Sequence, residues 1–151
     1  IVSTCDTMNY LLTSEDFIQT LRLANNYLDP GGVFIFDLNT LYKFREVMGD
    51  MTIAENGEDA SFIWDNYFDE ETGRNEYDLT LFIRQENGLF ARVSEVHEEQ
   101  GYEPEQILEF IARSGMEYVR AFDAESGGAP HETSEKVFYV VREHGKERNV
   151  T

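Results

Sequence analysis

Three polar stretches carry the residue types that do chemistry: Cys5-Asp6-Thr7-Met8-Asn9-Tyr10, Asp37-Leu38-Asn39-Thr40 and Val96-His97-Glu98-Glu99. The first two each follow a short β-prone apolar run, so each falls where a strand ends. His97 has an unperturbed pKa near 6.5, which suits taking a proton from an amine or hydroxyl. Strand alternation places it on the face of Ala91 and Val93, and a packed histidine at a strand end fits the same pattern. Trp64, Tyr67 and Tyr42 could wall a ligand or fill a core. Asp69-Glu70-Glu71 and His97-Glu98-Glu99 have neither a calcium-loop pattern nor a histidine pair at ligand spacing, so they read as solvated charge and no metal site is expected. Cys5 has no histidine near it in sequence and reads as a small neutral loop residue. Asp37 interrupts an apolar strand and needs a hydrogen-bond partner.

These residues need elements to position them. Ile1–Thr4 reads as a strand whose carboxyl end becomes the Cys5–Leu11 loop. Thr13 or Ser14 can cap a helix over Ser14–Leu28, with Phe17, Ile18, Leu21, Ala24 and Leu28 on one face. Asp29-Pro30-Gly31-Gly32 stops it, and Val33–Leu38 follows as a strand expected to be covered on both faces. Strand, helix and strand make a right-handed βαβ unit. Ligands of open α/β sheets bind beyond the carboxyl ends of parallel strands, so the Cys5 and Asn39 loops should share one crevice.

A short helix near Leu41–Met48 precedes a change of period. Phe62–Phe68, Tyr77–Arg84 and Leu89–Glu98 read as three antiparallel strands, the last two joined at Asn87-Gly88, and Tyr77, Leu79, Leu81 and Ile83 should give them a dry side. Pro104 and Gly115 bracket a further helix, and strands follow over Tyr118–Phe122 and Lys136–Arg142. The expected organisation is a single partial domain. Residues 1–48 and 103–142 form an α/β part, 60–100 an inserted meander, and 143–151 a flexible tail.

Charge and composition exclude several classes. Twelve basic against 30 acidic side chains give −18, a field that repels nucleic acid and anionic lipid. One cysteine forbids an internal disulfide and fits a reducing compartment, so a cytoplasmic location is expected. No apolar run reaches the roughly 18 to 20 residues of a membrane helix, and no membrane partner is expected.

The stretches Asp6–Leu12, Asp29–Thr40, Ser94–Tyr102 and Glu105–Met116, in this order, resemble bacterial class I S-adenosylmethionine-dependent methyltransferases. The resemblance covers nearly the whole chain but only the second half of the family's domain. It implies the second half of a Rossmann-like methyltransferase sheet with an inserted antiparallel β-meander. It also implies that Cys5, Asp6 and Thr7 touch the methionine part of S-adenosylmethionine. Met8, Asn9, Tyr10, Asn39 and Trp64 would face a small-molecule acceptor, and His97 would act as base or binding group. The family's glycine-rich loop and ribose-binding acid are absent, since no two of the eleven glycines stand at i and i+2. The fragment alone is therefore expected to be inactive, and its unpaired sheet edge to favour a homodimer. A non-catalytic α+β binding or dimerisation module is the alternative, and a dehydrogenase half a more distant one.

Overall fold

The change of period divides the chain into two sheets. A computed structural model describes residues 1–146. The elements run β1 (Val2–Ser3), α1 (Ser14–Tyr27), β2 (Val33–Asn39), β3 (Thr52–Asn56), β4 (Ala60–Asp69), β5 (Arg74–Arg84), β6 (Phe90–Gln100), α2 (Pro104–Ser114), β7 (Glu117–Asp123) and β8 (Lys136–Arg142). The first sheet has the order β1-β2-β8-β7, parallel between β1 and β2 and antiparallel elsewhere. The second, β3-β4-β5-β6, is an antiparallel meander.

Thr13 caps α1 by accepting the Asp16 N–H at 3.1 Å, and acidic Glu15 and Asp16 suit the helix's positive end. Spacing then buries Phe17, Ile18, Leu21 and Ala24 on one face. A Glu103–Gln106 capping box and Pro104 start α2, and Gly115, at φ 85°, ends it. Both helices pack on the side of Phe34, Phe36, Leu38, Val137, Tyr139 and Val141. Phe17 sits at the centre, its ring 5.8 Å from Phe36, 5.3 Å from Tyr102 and 5.4 Å from Phe110.

Because both helices take one side, the second face of β2 is covered only over its carboxyl half, where the loop of residues 5–9 buries Asp37 and Asn39, and not along the whole strand as its composition suggests. Phe36 is fully buried, whereas Val33 is 40% exposed on the other face and Ile35, Phe138 and Val140 are only half-buried there. The meander also differs from expectation. A fourth strand, β3, pairs with β4, and all five of its residues are exposed, so no alternation announced it. The face of Leu79 and Leu81 is not dry, since both are only half-buried and Ile83 is 43% exposed. The Leu41–Met48 helix is a turn that widens into a π-helix over Lys43–Met48, closed by the Gly49 N–H donating to Phe44 O.

The tail expected to fray from residue 143 is tied at its start. Glu143 is buried and accepts from Gly31 N at 2.7 Å, and Lys146 Nζ donates to Asn26 O at 2.9 Å. Residues 147–151 of that expectation lie outside the described residues. Among the described residues no helix is long and apolar enough to cross a membrane.

Candidate functional site

The carboxyl end of β1 makes an unusual turn. Cys5 and Asp6 both have positive φ, 61° and 55°, a conformation costing non-glycine residues about 1 kcal/mol or more each. Asp37 on β2 holds it. Its carboxylate accepts the Cys5 N–H at 3.1 Å and the Asp6 N–H at 2.9 Å. Lys136 from β8 completes the group, with Nζ 3.0 Å from Asp6 Oδ1 and 3.4 Å from Asp37 Oδ2. Burial works against the Lys136 charge, but its bonds to Asp6 and then Asp37 outweigh it and raise the pKa. The partner that Asp37 needs is thus the strained turn itself.

Asn9 joins the two sheets. Its Nδ2 donates to Asn39 O at 3.1 Å and to Gln100 O at 3.0 Å, while its Oδ1 accepts the Asn39 N–H at 2.9 Å. Both amide hydrogens and Oδ1 are taken up by backbone partners, so Asn9 positions the ends of β2 and β6 and has no donor left for an acceptor. Met8 corrects the sequence reading in the same way. It lies in the hydrophobic core, because the Thr7–Tyr10 turn rolls it inward under Asn9.

The neighbouring Tyr10 points outward to the base of the meander. Its hydroxyl lies 2.8 Å from Tyr77 Oη and 2.8 Å from His97 Nδ1. Glu95 Oε2 is 3.3 Å from His97 Nε2, which places the ring hydrogen on Nε2 and leaves Nδ1 to accept from Tyr10. Tyr77 then donates to Tyr10. His97 stacks on Tyr77 at 4.6 Å, and Tyr77 on Trp64 at 4.3 Å. Burial is the first cause raising the Tyr10 and Tyr77 pKa values, so both phenols stay protonated at neutral pH.

Glu99 is the residue that sequence reasoning missed. It lies two positions beyond His97 on the same strand face, and only 2% of its surface is exposed. Burial, followed by the nearby Asp6 charge, lifts its pKa to about 7, against hydrogen bonding from Asn39 and the charges of Lys43 and Lys136. The His97-Glu98-Glu99 segment is therefore not uniformly solvated. Period-2 alternation carried the signal, because it sets Glu99 inward with His97 and leaves Glu98 outside.

One cluster thus gathers Asp6 and Tyr10 from the loop after β1, Asn39 from β2, His97 and Glu99 from β6 and Lys136 from β8. Cys5 and Thr7 are exposed at its edge. Trp64 enters it only through Tyr77. Tyr67 lies on the opposite face of β4 from Trp64, and Tyr42 lines a separate cavity, so the three aromatics form no common wall.

No family model matches the chain. Two curated bacterial proteins, each named "Putative methyltransferase", are similar to it. The one from Geobacillus sp. (strain WCH70) is 31% identical over 138 residues, 91% of this chain and 56% of that protein. YqeM of Bacillus subtilis (strain 168) is 29% identical over 143 residues, 94% of this chain and 57% of its own length. The chain spans about half the length of these curated relatives. Among solved structures, an S-adenosylmethionine-dependent methyltransferase from Clostridium acetobutylicum ATCC 824 superposes with a TM-score of 0.87 and 27% identity. That match covers 96% of this chain and 58% of the other. The CcbJ methyltransferase from Streptomyces caelestis shares the fold, with a TM-score of 0.77 at 17% identity over 95% of this chain and 56% of the other.

The fold is that of class I S-adenosylmethionine-dependent methyltransferases, over the Rossmann-like half that the chain spans. Within that class, the chain is the counterpart of the C-terminal part of a bacterial methyltransferase.

Proposed function

We propose that this chain forms the acceptor-side part of an S-adenosylmethionine-dependent methyltransferase whose acceptor is a small molecule bearing an amine or hydroxyl. The observation that carries the reading is the convergence of the Cys5–Asp6 turn, the end of β2 and the end of β6 on one crevice. When bound, S-adenosylmethionine supplies a methyl group on a positively charged sulfur. The carboxylates of Asp6 and Glu99 complement that positive charge, and the locked turn offers Cys5 and Thr7 at the exposed edge, so the donor set fits the methionine end. The 151 residues contain no glycine-rich cradle for the nucleotide end. On this reading the chain by itself does not turn over.

Methyl transfer is mainly a matter of alignment, and the acceptor must also lose a proton. His97 presents Nε2–H toward Glu95 and accepts from Tyr10 through Nδ1, so both ring nitrogens are engaged within the protein and the ring positions Tyr10. Glu99 is the better base at neutral pH, since its pKa of about 7 lets it take a proton there. Tyr10 binds beside it, and Asn39, whose side chain bonds Glu99 and accepts from Lys43 Nζ at 3.1 Å, holds that carboxylate in place. A cytoplasmic setting and no nucleic-acid partner accompany this reading, supported by the −18 charge and the single cysteine.

The non-catalytic module has one observation in its favour: the partly open apolar faces of both sheets. Calorimetric titration of S-adenosylmethionine separates the two readings. The full-length gene product should bind it saturably and the 151-residue chain should not, and Glu99→Gln in the full-length protein should lower kcat at least tenfold. Absence of saturable binding by the full-length protein sinks the enzyme reading.

A further inference from the structure

A second cavity, of about 530 Å³, opens on the α2 side of the first sheet. Of the crevice side chains, Asn39 lines both spaces, while Tyr10, His97 and Glu99 do not face this one. Its volume lies within the usual range for small-molecule sites. The walls are apolar and partly open, since Leu108 and Tyr118 line it although each is 44% exposed. Tyr139 lies deeper, stacked on Phe36 at 5.4 Å and only 6% exposed. Among the described residues no protein group bonds its hydroxyl, and no buried side-chain oxygen is left without a partner, so the hydroxyl opens into the cavity. That hydroxyl lies near Tyr118 and Glu105, both in the cavity wall, and burial first of all pushes its pKa up to about 12, so it remains a donor.

The charged lining is mostly acidic. Glu46, Glu103, Glu105 and Glu132 line it beside Arg45 and His131, and among the described residues none of these four glutamates is in an ion pair. Both basic groups already face another carboxylate, Arg45 at 3.5 Å from Glu70 and His131 at 4.0 Å from Asp123, so the rim keeps a negative balance. Such a rim over apolar walls focuses a field that attracts cations and repels anions. Tyrosine faces add attraction for an ammonium group.

We propose that this cavity binds a hydrophobic cation, with an apolar ring against Tyr118, Ala121 and Val137 and an ammonium group among Glu46, Glu105 and Glu132. Binding needs no methyl donor, so the proposal stands or falls apart from the methyltransferase reading. The test titrates 4-phenylbutylamine, 4-phenylbutanol and 4-phenylbutyrate into the full-length protein by calorimetry at pH 7, at low ionic strength and without S-adenosylmethionine. The amine should bind at least tenfold more tightly than the alcohol, and the carboxylate should not saturate. Glu105→Gln should narrow the gap between amine and alcohol, and Ala121→Phe should abolish binding by filling the wall. If Ala121→Phe does not fold, Tyr139→Phe, which removes only the hydroxyl, should weaken binding several-fold. Equal affinity for the amine and either of the other probes, no saturation by any probe, or binding unchanged in Tyr139→Phe or in a folded Ala121→Phe protein overturns the proposal.

Discussion

Glu99 couples the crevice to the stability of the fold. In the unfolded chain its carboxyl titrates near 4.5, whereas in the folded protein the value rises to about 7. Between those values the folded state holds more protons than the unfolded state, so stability falls as pH rises from about 4.5 to about 7 and then levels off. Each pKa unit is worth about 1.4 kcal/mol, which puts the whole effect at about 3 kcal/mol. Glu99→Gln removes the charge while keeping most of the shape. Denaturant titrations should show the variant more stable than the parent at pH 8, and the two converging near pH 4.5. Parallel pH profiles for parent and variant would remove Glu99 as the source. The same burial that makes Glu99 costly is what brings its proton equilibrium to neutral pH, where a base for an amine or hydroxyl is useful.

At the scale of elements, Asn9 ties β2 to β6 through three backbone partners. Asn9→Ala leaves Asn39 N, Asn39 O and Gln100 O without that partner in a buried place, at a cost of about 1 to 3 kcal/mol for each group that water cannot reach. Urea melting should register a loss of at least 2 kcal/mol, and amide exchange at Asn39 should quicken. A loss below 0.5 kcal/mol would mean that the two sheets are joined elsewhere. Phe17→Ala serves as the comparison within the core, where a loss of about 3 to 5 kcal/mol is expected and exchange at Asn39 should quicken only as far as the lower global stability requires. Much of this scale was legible in the sequence. Helical spacing gave α1, the Asn87-Gly88 pair gave the β5–β6 hairpin, and loop position after strands brought Asp6 and Asn39 together. The misses have physical causes. β3 has no buried face and so no period, and the coverage of β2 depends on which side distant helices take. The family resemblance turns Met8 and Asn9 toward an acceptor, and neither it nor loop position shows that a 3₁₀ turn rolls them into the core and leaves Tyr10 outside.

At the scale of the molecule, two apolar faces are partly open among the described residues, and they compete as sites of self-association. On the first sheet, Val33, Ile35, Phe138 and Val140 stand opposite the helices, next to the β1 edge where Val2 is 68% exposed. On the meander, Ile53, Ile83 and Val93 are each about two-fifths exposed. The net charge of −18 opposes contact between copies, and salt screens that repulsion, so association of the 151-residue chain should strengthen between 0.05 and 0.5 M NaCl. The first sheet should dominate, because its β1 edge carries no charged side chain, whereas the meander's β6 edge carries Arg92, Glu95 and Glu98, which guard against pairing. Val140→Lys should therefore weaken association at least tenfold in sedimentation velocity, and Val93→Lys should change it little. Each lysine lowers the negative charge by one, which by itself would favour contact, so a weakening reports on lost apolar burial. If Val93→Lys disrupts association and Val140→Lys does not, the meander is the interface, and the binding-module reading gains over the enzyme.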